Sequence, residues 1–231
     1  MWRTVEARLG SRLARDIALV VLADGLVGVS FGAIAVGNGF SVWVPLALSV
    51  VVFGGASQFM FIGVIAAGGA LVPAVLAGLL VNARHLPFGF AVSDVLGSSL
   101  RRRIVGSHVM IDETVAFALS QRDPARRRAA YWTCGIALFV AWNIGVVIGA
   151  GAGSVISDTD ALGLDAAFPA VLLALVLPSL RERRTLIAAL IGVAIALGTA
   201  PFLPAGVPVL LALAGVAVCR PAVPEPEQEA V

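Results

Sequence analysis

The sequence predicts an all-α protein, a polytopic transmembrane helix bundle with interrupted or re-entrant helices, on three observations. The first is composition. With 59% hydrophobic residues, 13% charged residues and a mean hydropathy of +0.98, 231 residues hold too little polar surface to cover a water-soluble domain. The second is a row of apolar runs separated by arginine-bearing loops. The third is that several runs carry polar residues or a glycine pair near their centres, where a lipid-facing helix has no use for them.

Met1 to Asp16 reads as a polar arm with Arg3, Arg8, Arg12 and Arg15. The apolar run Ile17 to Gly37 is longer than the hydrophobic region of a signal peptide, so it is expected to stay as the first helix. Further runs cover Trp43 to Ala67, Gly69 to Ser93, Ile104 to Ser120, Ala129 to Gly153, Leu162 to Leu180, Thr185 to Leu203 and Ala205 to Cys219. From Arg220 onward, prolines alternate with Glu225, Glu227 and Glu229, a composition that does not pack. The expected organisation is a cytoplasmic arm at 1–16, a transmembrane domain at 17–219 and a disordered cytoplasmic tail at 220–231.

Arginine placement constrains the path of the chain. Clusters lie in the N-terminal arm, at Arg101 to Arg103, at Arg122 with Arg126 to Arg128, at Arg181 to Arg184 around Glu182, and at Arg220; Asp158, Asp160 and Asp165 mark an acidic loop. If every run crossed once, Arg101 to Arg103 would lie outside, against the positive-inside rule. All clusters fall inside if Trp43 to Ala67 is a broken or re-entrant hairpin bent at Gly54-Gly55-Ala56-Ser57-Gln58, and if Ile104 to Ser120 does not cross fully. The second segment contains His108, Asp112 and Glu113, which no lipid-exposed span would keep.

Several function classes drop out. All 16 basic residues are arginine, and they flank membrane segments instead of forming one basic face, so no nucleic-acid partner is expected. Cys134 and Cys219 sit in apolar runs as packing residues, with no spacing for a metal or a disulfide framework. No phosphate-loop, His-Glu-x-x-His or Gly-x-Ser-x-Gly motif occurs, and Gly163-Leu164-Asp165 only partly matches the Gly-x-Gly-Asp loop of intramembrane aspartyl proteases. The chain is therefore expected to be no enzyme and to need no cofactor.

Three polar constellations carry the functional reading. At Gly54, Gly55, Ser57 and Gln58, a glycine pair lets the backbone unwind, and a half-helix restarting at Ser57 presents free N–H groups and a positive dipole end suited to a carboxylate. The plainer reading is close helix packing through small residues, with Ser57 bonded to its own helix. At Asn82, Arg84 and His85, with Pro87 and Gly89 expected to end the helix, Arg84 is suited to hold a carboxylate in a bidentate pair and His85 to relay a proton. The alternative for Arg84 is an ion pair with an acidic residue elsewhere in the bundle. In the third, His108 and Asp112 are four apart and share a face if helical, and Asp112 or Glu113 is the natural partner for an ammonium group, a proton or Arg84. Against this stands an interfacial helix whose acids face water. Asp24, Thr114, Trp142 and Asn143 are weaker candidates for cavity or pathway positions.

At these residues the chain resembles the AzlC family of branched-chain amino-acid permeases. The likeness rests on Phe53-Gly54-Gly55-Ala56-Ser57-Gln58-Phe59 and Asn82-Ala83-Arg84-His85-Leu86-Pro87-Phe88-Gly89. It rests also on Asp112-Glu113-Thr114-Val115-Ala116-Phe117 and Gly163-Leu164-Asp165-Ala166-Ala167-Phe168-Pro169-Ala170. Phe53 and Phe88 depart from it, since the family commonly has tyrosine at both places.

The resemblance implies a multi-pass secondary transporter of the bacterial plasma (inner) membrane. Its substrates would be leucine, isoleucine, valine and similar hydrophobic amino acids, exported from the cell; with no ATP-binding motif in the chain, the proton gradient is the expected drive. A small AzlD-type membrane protein is the implied partner, and both termini are expected in the cytoplasm. Gly54, Gly55, Ser57, Gln58, Asn82 and Arg84 would bind substrate, while His85, Asp112 and Glu113 would couple the proton or hold the amine. A non-transporting scaffold or sensor subunit is the alternative class.

Overall fold

A computed structural model describes residues 9–155, 173, 177, 179–203 and 206–218. The described residues form helices and no strands. Helix α1 is Ser11–Gly37, followed by α2 Trp43–Val51, α3 Gly55–Ala66, α4 Leu71–Asn82, α5 His85–Ala91, α6 Ser93–Leu96, α7 Leu100–His108, α8 Asp112–Leu119 and α9 Pro124–Val155. A 3-10 turn at Ser179–Arg181 leads into α10 Arg183–Thr199, α11 Val207–Leu211 and α12 Ala214–Val218. Ser11–Gly37, Leu71–Ala91 and Pro124–Ser154 are long and apolar enough to cross a membrane. The all-helical membrane architecture is as the sequence predicts.

Two interhelical seams hold the bundle. Helices α1 and α9 approach through glycines on both sides: a Cβ on Gly28 would stand 2.8 Å from the Trp142 carbonyl oxygen, and one on Gly149 would overlap the Val29 carbonyl. Small residues are what allow backbones to come this close where lipid removes the hydrophobic drive between helices. The second seam is α3 against α4, where Gly78 packs on the Ser57 carbonyl and Asn82 reaches Gly54.

Chain direction is set by these contacts. Arg126 donates to the Leu9 carbonyl, and Arg127 pairs with Asp94 at 3.2 Å, so the start of α1, the end of the Leu71–Ala91 span and the start of α9 share one end of the molecule. Gly97 packs on Arg102 there as well. The opposite end holds the α1–α2 turn, and Gly206 packs there against Val64 and Pro73. Helix α10 returns along α12, with Gly215 over the Ala188 carbonyl, which brings Arg181–Arg184 back to the arginine-rich end. The acidic loop, the Gly163–Ala170 motif, Cys219 and the tail lie outside the described residues.

Both segments singled out by the arginine pattern fold back on themselves. Helix α2 descends to mid-bundle, where Ser49 Oγ donates to Asn143 Oδ1 at 2.8 Å and the Phe53 ring meets Phe139 at 5.0 Å. Beyond the break at Val52–Gly54, Gln58 Nε2 donates to the Leu48 carbonyl at 3.2 Å, and Phe59 packs edge-on to Phe31 at 5.2 Å, so α3 climbs back beside α2. Phe53 turns the chain with φ +33°, a left-handed conformation unusual for an aromatic residue.

Helix α7 rises from the arginine-rich end, with Tyr131 donating to the Gly106 carbonyl at 2.8 Å and Val109 on Gly135. Helix α8 then returns, placing Phe117, Ser120 and Gln121 beside Leu9–Asp16 and Arg126. Residues 11–66 and 71–119 thus repeat one plan, a span followed by a hairpin, in opposite directions, as inverted repeats of transporters do. The apices even share a local bond: Ser57 Oγ donates to the Gly54 carbonyl at 2.8 Å, and Thr114 Oγ1 to the Ile111 carbonyl at 2.7 Å.

Two sequence expectations are corrected. His108 and Asp112 do not share a helix face, because α7 ends at His108 and α8 begins at Asp112; His108 Nε2 donates instead to the Val50 carbonyl at 2.8 Å, joining the two hairpin apices. Pro87 and Gly89 do not end a helix but lie within α5. The proline is tolerated because it stands in the first turn, where backbone N–H groups have no helical acceptor.

Candidate functional site

The hairpin apices meet over a cavity of about 330 Å³, a volume within the usual range for small-molecule sites. The first apex supplies Phe53, Gly54, Gly55 and Ala56, with Phe59 one turn on; the second supplies Ile111, Asp112 and Glu113. Asp24 and Val27 enter from α1, Trp142 from α9, and Arg84 from the two-residue turn between α4 and α5. Asp24 stands halfway along the 27-residue α1, a helix about 40 Å long, which sets the cavity about 20 Å from either end. That is mid-membrane depth, where transporters built from opposed repeats bind their substrates.

Charge is distributed unevenly around this space. Arg84 Nη1 lies 2.7 Å from Asp112 Oδ2, and the two side chains are 38% and 41% exposed, so a solute in the cavity can reach both. Asp24 and Glu113 line the same cavity, giving three carboxylates to one guanidinium among the described lining residues. In the same lining, α3 opens at Gly55 without a side-chain cap. Its first-turn N–H groups therefore lack helical partners and carry the positive end of the helix dipole.

Gly54 is glycine for a reason of space. Its φ of −160° is ordinary extended backbone, but a Cβ there would lie 2.9 Å from Asn82 Oδ1 and 3.0 Å from Ser57 Oγ. A Cβ on Gly55 would lie 2.9 Å from Trp142 Cη2. Both glycines keep side chains off the half-helix start.

Among the residues singled out in the sequence, the structure brings Asp24, Gly54, Gly55, Arg84, Asp112, Glu113 and Trp142 together at the cavity. Others serve the walls. Ser57 is buried and bonded to Gly54, while Gln58 is wholly buried, accepting from Trp142 Nε1 at 3.1 Å and donating to Leu48. Thr114 is buried and accepts from the Ile111 N–H at 2.9 Å, closing the start of α8. Asn143 bonds Ser49 and its own helix at the Phe139 carbonyl.

His85 lies outside the cavity lining; its Nδ1 donates to the Asn82 carbonyl at 2.9 Å and its ring meets Phe88 edge-on at 6.0 Å. Asn82 Oδ1, Arg84 Nε and His85 Nε2 are buried atoms without a hydrogen-bond partner among the described residues. Val27, Phe59 and Ile111 complete the wall with apolar surface. Nothing in their type distinguishes them from core residues, so only their neighbours in the motifs could have marked them.

Comparison with known proteins adds a family and several relatives. Residues 20–156 match the family described as AzlC protein. The chain is 31% identical over 173 residues to the inner membrane protein YgaZ of Escherichia coli, covering 72% of this chain and 67% of that one. It is 23% identical over 196 residues to the branched-chain amino acid transport protein AzlC of Bacillus subtilis, covering 82% and 76% respectively. An uncharacterized membrane protein of Helicobacter pylori is 26% identical over 158 residues, covering 68% of this chain and 69% of that one. No solved structure matches the chain.

Proposed function

The chain belongs to the AzlC protein family, and from that premise we propose that it is a secondary transporter exporting branched-chain and other hydrophobic amino acids across the bacterial inner membrane. The proton gradient drives it, a small AzlD-type membrane protein works with it, and both termini face the cytoplasm. It performs no covalent chemistry on its substrate.

The observation that carries this reading is the mid-depth cavity where two opposed hairpin apices meet. A zwitterion needs an anion site, a cation site and an apolar wall within a few ångströms. The uncapped start of α3 and the Arg84 guanidinium supply the first, the carboxylates of Asp24, Asp112 and Glu113 the second, and Val27, Phe59, Ile111 and Trp142 the third. Asn82 positions the α3 start by packing on Gly54. His85, held on the Asn82 carbonyl, acts through that contact and not on the solute. The arginine clusters gathered at one end support a cytoplasmic placement of that end.

Efflux of labelled leucine, valine and methionine from cells expressing the chain, with and without a small partner protein from the same genome and with and without a protonophore, tests the reading. Saturable efflux that collapses with the gradient is expected. No efflux with the partner present would favour a non-transporting scaffold or sensor.

A further inference from the structure

We propose that a second cavity, at the arginine-rich end, is the entry site for the amino acid, and that the seam between α1 and α8 connects it to the mid-depth cavity. This route rests on the transport function proposed above and delivers the substrate from the cytoplasm to that site. The second cavity measures about 480 Å³ and lies between the start of α1, the end of α8 and the start of α9. Its walls include Arg12, Asp16, Gln121 and Arg126 beside the apolar Leu13 and Phe117.

This lining answers to both ends of a zwitterion. Arg126 Nη2 donates to the Leu9 carbonyl, which fixes the guanidinium at the wall and leaves further N–H groups for a carboxylate. Arg12 is exposed and, among the described residues, pairs with no carboxylate, although Asp16 stands one turn away on the same helix. Asp16 is exposed as well and pairs with no cation among the described residues, so it is open to an ammonium group. Leu13 and Phe117, half-buried, offer apolar surface to an aliphatic side chain. A simple anion such as phosphate would meet Asp16 as a repulsive neighbour, whereas an amino acid uses both signs of charge.

The two cavities lie along the same pair of helices. On α1, Leu13 and Asp16 line the second cavity, and Asp24 and Val27 line the mid-depth one. With Val20 between them, these positions are spaced by three and four residues and so share one face of the helix. On α8, Asp112 and Glu113 line the mid-depth cavity, and Phe117, one turn later, lines the second. At the rise of an α-helix, Asp16 stands about 12 Å along α1 from Asp24, and Phe117 about 6 Å along α8 from Glu113. What parts the two spaces is therefore about one turn of each helix, where Val20 and Phe117 pack against the core. Glycines hold α1 to α9, and Tyr131 holds α7 to α9, so the passage opens by displacement of α8, the eight-residue returning arm of the hairpin.

The test uses the full-length chain with its partner in inside-out membrane vesicles, with Cys134 and Cys219 replaced and leucine as the probe. In Ser120→Cys, on the wall of the second cavity, an impermeant maleimide should react and leucine should slow the reaction several-fold; in Ser99→Cys, outside that wall, leucine should make no difference. Protection of Ser120→Cys should persist when Arg84→Ala is added to weaken the mid-depth site. With Asp16→Asn added instead, it should require roughly twofold to tenfold more leucine, the worth of one hydrogen bond. Val20→Cys should react from the same face, and its labelling should stop efflux. If labelled leucine binds the wild type but does not slow the Ser120→Cys reaction, the entry route is overturned and the transport reading stands. The same holds if protection disappears with Arg84→Ala, if inorganic phosphate protects as well as leucine does, or if Val20→Cys stays unlabelled. Absence of leucine binding by the wild type would overturn both.

Discussion

Arg84 and Asp112 are joined at 2.7 Å although each belongs to a different break in the helical framework, one between α4 and α5 and the other at the apex of the second hairpin. The contact ties a spanning helix to a re-entrant one at the wall of the cavity. Charged groups at this depth are expensive, and a chain retains them where they meet one another or a solute.

Replacement of Arg84 by alanine should abolish transport while leaving insertion normal or easier. A charged hydrogen bond contributes about 1.5–3 kcal/mol, equivalent to roughly a tenfold to 150-fold loss of substrate affinity. Arg84→Lys should recover only part of it, since a point charge does not reproduce the paired N–H geometry. Efflux assays alongside quantified membrane levels check this. Unchanged efflux in Arg84→Ala would remove the residue from the site.

Gln58 should behave as a structural residue. It is wholly buried, with its carbonyl taken by Trp142 and its amide by Leu48. Gln58→Leu keeps a similar volume but leaves the buried Trp142 indole N–H unpaired, at about 1–3 kcal/mol, while the Leu48 carbonyl keeps the Val52 N–H. The expected result is a lower unfolding temperature in detergent with leucine affinity nearly unchanged. Weaker leucine binding at unaltered stability would place Gln58 in contact with substrate.

These two residues show what was legible in the sequence and what was not. Arg84 and Asp112 are conspicuous because charge has no place in lipid, and the arginine clusters predicted where the chain must turn back. Gln58 was conspicuous for the same reason, but its partners Trp142 and Leu48 come from elsewhere in the bundle, and residue type does not reveal whether a polar group faces a cavity or a neighbour. The second hairpin's apex was hidden too. Val109, Met110 and Ile111 contain no glycine or proline, so nothing local marks the break that separates His108 from Asp112. The close α1–α9 seam is written in glycines, but which helix they face is a matter of tertiary packing.

Space around the first apex should respond to compensation. Gly54→Ala places a Cβ 2.9 Å from Asn82 Oδ1, and overpacking of this kind costs about 1–3 kcal/mol. Because φ at Gly54 suits any residue, the damage is steric and should be partly reversed by shortening the neighbour in Gly54→Ala/Asn82→Ala. Thermal stability measured for the single and double variants checks this. A double variant no more stable than the additive expectation would show that Asn82 is not what limits the site.

The α1–α9 seam should be less forgiving. A methyl group on Gly149 would overlap the Val29 carbonyl, a backbone atom that cannot swing aside. Gly149→Leu is expected to separate the two longest spans and to lower the yield of folded protein several-fold, by more than Gly151→Leu, whose added group meets nothing. Fluorescence-detected size-exclusion profiles compare the pair. Equal yields would argue that the seam is looser than its glycines require.

The fold-back of the second hairpin makes a sharp topological prediction. Ser99 and Ser120 flank α7 and α8, and both are exposed at the end of the molecule where Arg102 and Arg126 lie. Ser41, exposed between α1 and α2, lies at the other end. In a chain with Cys134 and Cys219 replaced, single cysteines at Ser99 and Ser120 should both react with an impermeant maleimide from one face of the membrane, and one at Ser41 from the opposite face. A single crossing between Ser99 and Ser120 would instead expose them on different faces. It would also carry Asp112 past Arg84 instead of holding the two at 2.7 Å, so labelling of Ser99 and Ser120 from opposite faces would dismantle the cavity together with the topology.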